Sequence, residues 1–249
     1  MTILTYKGGK PIPENVLNAL KYTGKVGVIT RPTWNILFGT GNERWKRRQI
    51  FNLVEYGALT RHSCKHQKDT WVLTDWSREL LRKNGLSCVT PVPPHLIDHD
   101  ECVGRGLWIL KEKEFSSKWI TERELKGMNS SAFLVQKNDQ GTKYPDAVLR
   151  PVRNENLAIA FEYERTGKSS LRYRSIARQY SRTTGINYIL YIVEDDSIRK
   201  RIKAALSYNG DKTLVQRTGF ISASDWNKNP LLSTVESSGR IHSLEGFIQ

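Results

Sequence analysis

The apolar positions of the chain first follow a helical period. In residues 13–23, Val16, Leu17 and Leu20 fall at helical spacing and the run closes at Gly24, which predicts a first helix. Thr30 or Arg31 ahead of Pro32 predicts a second helix start, with Gly39 as its stop, because proline suits the first helical position and glycine the one after the last. A short turn, Thr40-Gly41-Asn42, leads to a third helix from Glu43 to about Tyr56, with Trp45, Ile50, Leu53 and Val54 on its inward side. After Gly57 the segment ALTRHSCKHQKDTWVLT alternates apolar and polar residues at both ends around a charged middle, the pattern of a β-hairpin with a basic tip. DWSRELLRKNG predicts a further helix that closes on Gly85.

Pro91, Pro93 and Pro94 cannot continue a helix and mark a boundary, which divides the chain into domains 1–90 and 91–249. Residues 93–113 read as a helix bearing His95, Asp98, His99, Asp100 and Glu101 early on, and KWITERELKG holds Glu122 and Glu124 in a short helix. The period then changes to two. Asp146-Ala-Val-Leu reads as a buried strand entered through Pro145. Leu157 to Arg165 puts Leu157, Ile159 and Phe161 on one face and Ala158, Ala160, Glu162 and Glu164 on the other. A basic helix over 168–182, the apolar strand INYILYIVE, the amphipathic helix DDSIRKRIKAALSYN and a last short strand in GFISASDW follow. The expected fold class is α/β (α+β): an N-terminal winged helix-turn-helix, then a mixed sheet flanked by helices.

Charge adds a partner to this picture. The formal net charge is +14 and the isoelectric point about 9.7. Residues 1–90 carry 15 Lys or Arg against 6 Asp or Glu, a balance of +9, which leaves +5 for the other 159 residues. Such an excess fits a polyanion, whose condensed counterions are released when its phosphates are neutralised. On the third helix, Arg44, Lys46, Arg47, Arg48 and Asn52 remain for nucleic acid, and Arg and Asn suit bidentate contacts to guanine and adenine edges. Lys65 and Lys68 fall at the hairpin tip, and Arg172, Arg174 and Arg178 lie on the basic helix near the acidic strands, where they can meet phosphates.

Other classes are disfavoured. Cys64, Cys88 and Cys102 are too few and too scattered for a disulfide framework, and no C-x-x-C pair starts a zinc site. MTILTYKGGKPIPEN lacks a signal-peptide profile and no apolar run reaches membrane-spanning length, so a cytoplasmic protein without a membrane partner is expected.

The candidate chemistry is acidic. Glu162 and Glu164, two apart on a strand, aim the same way, and a neighbouring strand starting at Asp146 brings a third carboxylate beside them. Three converging carboxylates repel one another unless a cation is present, and oxygen-only ligands suit Mg²⁺ or Mn²⁺ rather than zinc. Such an ion activates an attacking group and stabilises the transferring phosphate, and Lys168 just past the strand is placed to neutralise charge there. His95 and His99, one helical turn apart, are a weaker metal pair that lacks a third ligand motif.

Pro145-Asp146, fifteen residues, then Glu162-Tyr163-Glu164 resembles the PD-(D/E)XK motif of restriction-endonuclease-like enzymes, with Glu164 in place of the usual lysine. With the winged helix in front and the WITEREL segment upstream, the chain resembles the replication-relaxation family and the MobC-type plasmid mobilisation relaxases. The resemblance implies a DNA relaxase or nickase that makes a site- and strand-specific cut at a plasmid transfer origin for conjugative mobilisation. Its partner would be double-stranded or partly melted plasmid DNA, with an accessory DNA-binding protein and a coupling ATPase in the transfer complex. Asp146, Glu162 and Glu164 would be the metal-binding, catalytic residues, and Glu122 the upstream helix glutamate, with Glu124 competing for that place. Relaxases of this kind commonly attack through a tyrosine. Tyr144, Tyr163, Tyr173, Tyr180, Tyr188 and Tyr191 lie near the core, Tyr188 and Tyr191 reading as packed, and the choice between tyrosine and activated water stays open. The alternatives are a restriction- or repair-type endonuclease on the same core and a non-catalytic plasmid DNA-binding regulator.

Overall fold

The computed structural model describes residues 9, 11–62, 69–129, 131–138 and 141–247, with backbone only at 136–138, 141 and 142. Lys65, Lys68 and Cys64 lie outside the described residues. The chain separates into two compact units, residues 1–105 and 106–249.

The first unit runs α1 (Glu14–Val26), β1 (Ile29–Thr30), α2 (Arg31–Leu37), α3 (Glu43–Glu55), β2 (Leu59–Arg61), β3 (Thr70–Leu73) and α4 (Asp75–Lys83). Its three strands form an antiparallel sheet in the order β1-β3-β2. Side-chain oxygens start the helices where the sequence supplies them: Thr30 accepts from the Thr33 amide, Asn42 from Trp45 at 2.9 Å and Thr74 from Ser77. Leu20, Tyr22, Trp34, Ile50, Leu53, Leu59 and Leu81 fill the core.

Two expectations are corrected here. The first helix does not stop at Gly24 but continues to Val26 and ends on Gly27, whose φ of 92° is the left-handed cap. Gly24 serves packing instead, since a Cβ there would lie 2.6 Å from the Ser87 carbonyl oxygen and 2.7 Å from Leu81. Trp45 does not point inward with Ile50 and Leu53: it is 50% exposed while they are 2% exposed. Trp45 lies in the first turn of α3, where Gly41 packs against its side chain.

The second unit begins within α5 (Ile97–Glu112). It continues with β4 (Ser116–Thr121), α6 (Glu122–Met128), β5 (Gln136–Asn138), β6 (Gly141–Lys143), β7 (Ala147–Pro151), β8 (Ile159–Glu164), α7 (Ser170–Arg182) and β9 (Tyr188–Val193). Then come α8 (Asp196–Tyr208), α9 (Lys212–Gln216), β10 (Thr218–Ser222), α10 (Ala223–Lys228), β11 (Thr234–Ser237), β12 (Arg240–Ser243) and α11 (Leu244–Phe247). Seven strands form one mixed sheet in the order β12-β11-β10-β9-β8-β7-β4. β7 is antiparallel to both neighbours, whereas β8, β9 and β10 run parallel, linked by crossovers through α7 and through α8 and α9. One face of the sheet packs Val148, Ala158, Ala160, Tyr191 and Val193 against Tyr173, Ile176 and Tyr180 of α7 and Ile198 and Ile202 of α8. On β8 the odd residues alternate away from that face, and Phe161 meets the Trp226 ring at 5.3 Å.

The sheet is larger than its sequence pattern announces. β4 is an edge strand whose alternation is broken by a register shift between Ser116 and Lys118, so SSKWIT does not read as a strand. GFISASDW is only half a strand. Ser222 ends β10 and its side chain accepts from the Asp225 amide at 3.0 Å, turning the rest into α10. The β11–β12 hairpin turns through Ser238 and Gly239, both at positive φ, which a two-residue hairpin turn demands.

Candidate active site

The strands set Asp146 beside Glu162, and Glu164 follows two residues further along the same strand. β7 pairs with β8 through Ala147↔Phe161 and Val148↔Ala160, so one further step sets Asp146 across from Glu162. Asp146 Oδ2 accepts from the Tyr163 amide at 2.7 Å, and the Asp146 carbonyl accepts from the Glu122 amide at 2.8 Å. Glu162 and Glu164 share the face of Ala158 and Ala160, at the carboxyl end of β8 and just before α7. Carboxyl ends of parallel strands are where open α/β sheets receive ligands.

Both glutamates are 2% exposed, and burying charge costs several kcal/mol unless it is paired. Glu162 is paired with Lys143, whose Nζ lies 2.9 Å from Oε2, and its other oxygen accepts from the Tyr180 hydroxyl. Glu164 is paired through both oxygens with Lys168 and accepts from the Tyr173 hydroxyl at 3.3 Å. Burial pushes Glu162 up to about 7; Lys143 opposes the rise and the Asp146 charge adds to it. Burial would by itself lower the Lys143 ammonium, but the Glu162 and Asp146 carboxylates outweigh it and hold this lysine above the ordinary value. Burial raises Tyr173 to about 12 and lifts Tyr180 and Tyr191 well above the usual phenol range, with the Glu162 charge as the next cause for the last two.

Two of the strongest contacts, from Lys143 and Tyr180 to Glu162, were not expected from sequence. Signals for them exist. Lys143 stands three residues before Asp146, and Tyr173 and Tyr180 are two helical turns apart, on one face of α7, as Glu162 and Glu164 are on one face of β8.

The other candidates are spread more widely. Glu122 opens α6, with its side chain paired to Lys126 at 2.9 Å. Glu124 closes a capping box, its carboxylate accepting from the Thr121 amide at 2.8 Å, and so serves the helix start. Arg172 and Arg178 are exposed on α7, whereas the Arg174 guanidinium lies over the Tyr208 ring, 3.5 Å from its centroid. His95 is exposed and His99 Nδ1 is 3.1 Å from Asp100. In the first unit Arg44, Arg47 and Arg48 are exposed on α3, Lys46 is half-buried and 3.3 Å from Glu43, and Asn52 is half-buried.

Among the described residues no three His, Cys, Asp or Glu side chains stand in a metal-holding group. The oxygen-donor chemistry of Asp146, Glu162 and Glu164 nonetheless suits a hard cation. No helix among the described residues is long and apolar enough to cross a membrane. In comparisons with known protein families, with characterised proteins and with solved structures, no match to this chain was found.

Proposed function

We propose that the chain is a metal-dependent DNA nickase of the relaxase type, in which the first unit binds DNA as a winged helix and the second cuts one strand. The observation that carries the reading is the buried pair Glu162 and Glu164 with Asp146 at the adjoining strand end, walled by Lys143 and Lys168. The order α5-β4-β7-β8-α7-β9, interrupted between β4 and β7 by α6 and the β5–β6 pair and with β7 antiparallel to its neighbours, supports the comparison with restriction-endonuclease-like cores. The order α1-β1-α2-α3-β2-β3, with exposed arginines on α3, supports the winged-helix reading.

Asp146, Glu162 and Glu164 would hold Mg²⁺ or Mn²⁺. A divalent ion on such oxygens supplies an activated water and charge neutralisation at phosphorus. Lys168, paired with Glu164 and with its side chain 37% exposed, is the cation best placed to meet a phosphate from solvent. Tyr173 and Tyr180 orient the two glutamates. Both are about 2% exposed or less and give their hydroxyls to carboxylates, which favours water over tyrosine as the nucleophile.

A second reading has its own support. Each buried glutamate is already paired with a lysine, an arrangement that also suits a non-catalytic DNA-binding regulator. Supercoiled plasmid incubated with Mg²⁺ or Mn²⁺ separates the possibilities. The nickase yields open circles, loses them when the metal is chelated, and loses them in Glu162→Gln. A restriction-type enzyme yields linear DNA. Plasmid that stays supercoiled while DNA is still bound favours the regulator.

A further inference from the structure

Within the first unit, α3 and the β2–β3 pair enclose a cavity of about 230 Å³ that the nicking chemistry does not use. Ile50, Val54 and Trp71 make its apolar floor, and Trp71 is only 6% exposed. Phe51, 57% exposed, stands at its edge. Arg31, Arg47 and Arg61 bring three positive charges to the same opening, where Asp69 offsets one by pairing with Arg31 at 3.1 Å. The lining therefore joins a net positive rim to an apolar, aromatic floor. Its volume falls below the roughly 300 Å³ at which pockets for drug-sized ligands begin, so the occupant is small.

We infer that this cavity receives the base of a single unpaired nucleotide of DNA, packed on the exposed Phe51 ring, with the nucleotide's phosphate outside it on Arg47 and Arg61. Aromatic side chains stack on any base, since every base presents a π-face, and arginine supplies the phosphate contact with a planar set of donors. An intact duplex keeps its bases stacked and out of reach of such a cavity, whereas a bulge or a melted segment offers one. The inference rests on the DNA-binding reading and deepens it. It assigns the first unit a preference for interrupted duplex, the form in which a strand is open to nicking.

Fluorescence anisotropy of the full chain, at low salt, tests this with three labelled duplexes of one mixed sequence: perfect, with one unpaired nucleotide, and with an abasic site at that bulge. Bulged DNA should bind about tenfold more tightly than perfect duplex, and the abasic bulge should lose most of that gain. Phe51→Ala should abolish the preference for the bulge while leaving perfect-duplex affinity within about twofold, because Phe51 is exposed and its loss opens no core void. Arg61→Gln should weaken the bulged duplex more than the perfect one. Equal binding of bulged and perfect duplex, or a preference that survives in Phe51→Ala, overturns the cavity assignment and leaves DNA binding standing. Failure to bind any of the three overturns both.

Discussion

The two units handle charge in opposite ways. In the second, Glu162 and Glu164 are withdrawn from water and each is held by a lysine and a tyrosine. In the first, Arg44, Arg47 and Arg48 lie open on α3. A buried charge is a structural commitment, because removing its partner strands it in a low-dielectric interior. An exposed one costs the fold almost nothing and is free to meet a ligand. Substitutions should therefore disturb stability and function together in the acidic network and separate them on α3.

The largest effect is expected at Lys143. Lys143→Met leaves Glu162 buried without its cation and should destabilise the second unit by about 3–5 kcal/mol at pH 8. Without Lys143, which opposes the effect of burial, the Glu162 carboxyl rises further; at pH 6 it takes up a proton and the loss shrinks. Adding Glu162→Gln removes the stranded charge and should restore much of the stability. Thermal unfolding at both pH values checks this, and equal losses at pH 6 and pH 8 would refute the uncompensated charge as the cause.

Glu101 sharpens the comparison, because among the described residues of the first unit it is the buried carboxylate, 6% exposed. It accepts from the Thr30 amide at 2.7 Å and from the Thr30 hydroxyl. Burial raises it from 4.5 to about 7, against the pull of those hydrogen bonds. The folded state thus favours the protonated form. Its stabilising contribution is complete below pH 4.5 and is lost as pH rises through 7, at 1.36 kcal/mol per unit about 3 kcal/mol in all. Hydrogen exchange of the α1 amides, corrected for intrinsic rate, should report that fall between pH 5 and pH 8. Glu101→Gln should flatten it, and an unchanged slope in the variant would assign the pH dependence to other groups.

Packing without charge gives a smaller effect. A Cβ on Gly106 would lie 2.2 Å from the Trp226 ring, so Gly106→Ala must displace that buried indole and should cost about 1–3 kcal/mol. A melting temperature equal to wild type would show that Trp226 yields freely.

The difference between the units also decides what could be read in the sequence. The strand of Glu162 and Glu164, the helix starts near Thr30 and at Glu43 and, to within two residues of its start, the basic helix expected over 168–182 were legible because each rests on local spacing. β4 was not, since its register shift breaks the alternation that announces a strand, and α1 overran Gly24 because a tertiary contact with Ser87 and Leu81, invisible in the local pattern, calls for a glycine there. The acidic face was legible, and Lys168 beside it was named, but the partners of Glu162 were not. Lys143 reaches Glu162 from nineteen residues away and Tyr180 from eighteen, and such pairings follow from strand register and helix docking rather than from spacing.

The smallest stability change, and the most direct reading of function, belongs to α3. Arg44→Ala and Arg48→Ala remove exposed side chains and should each leave stability within about 0.5 kcal/mol of wild type. On the proposed reading each also removes one contact to the DNA backbone or a base edge. Affinity should then fall, and the slope of log affinity against log salt should flatten by about one where the lost contact is a phosphate. Anisotropy titrations at several salt concentrations measure both quantities on one duplex. An arginine whose removal weakens binding without changing the slope is reading a base, because a base contact releases no counterion. If neither variant changes affinity or slope, α3 is a solvated face, and the positive charge that attracts DNA resides elsewhere on the chain.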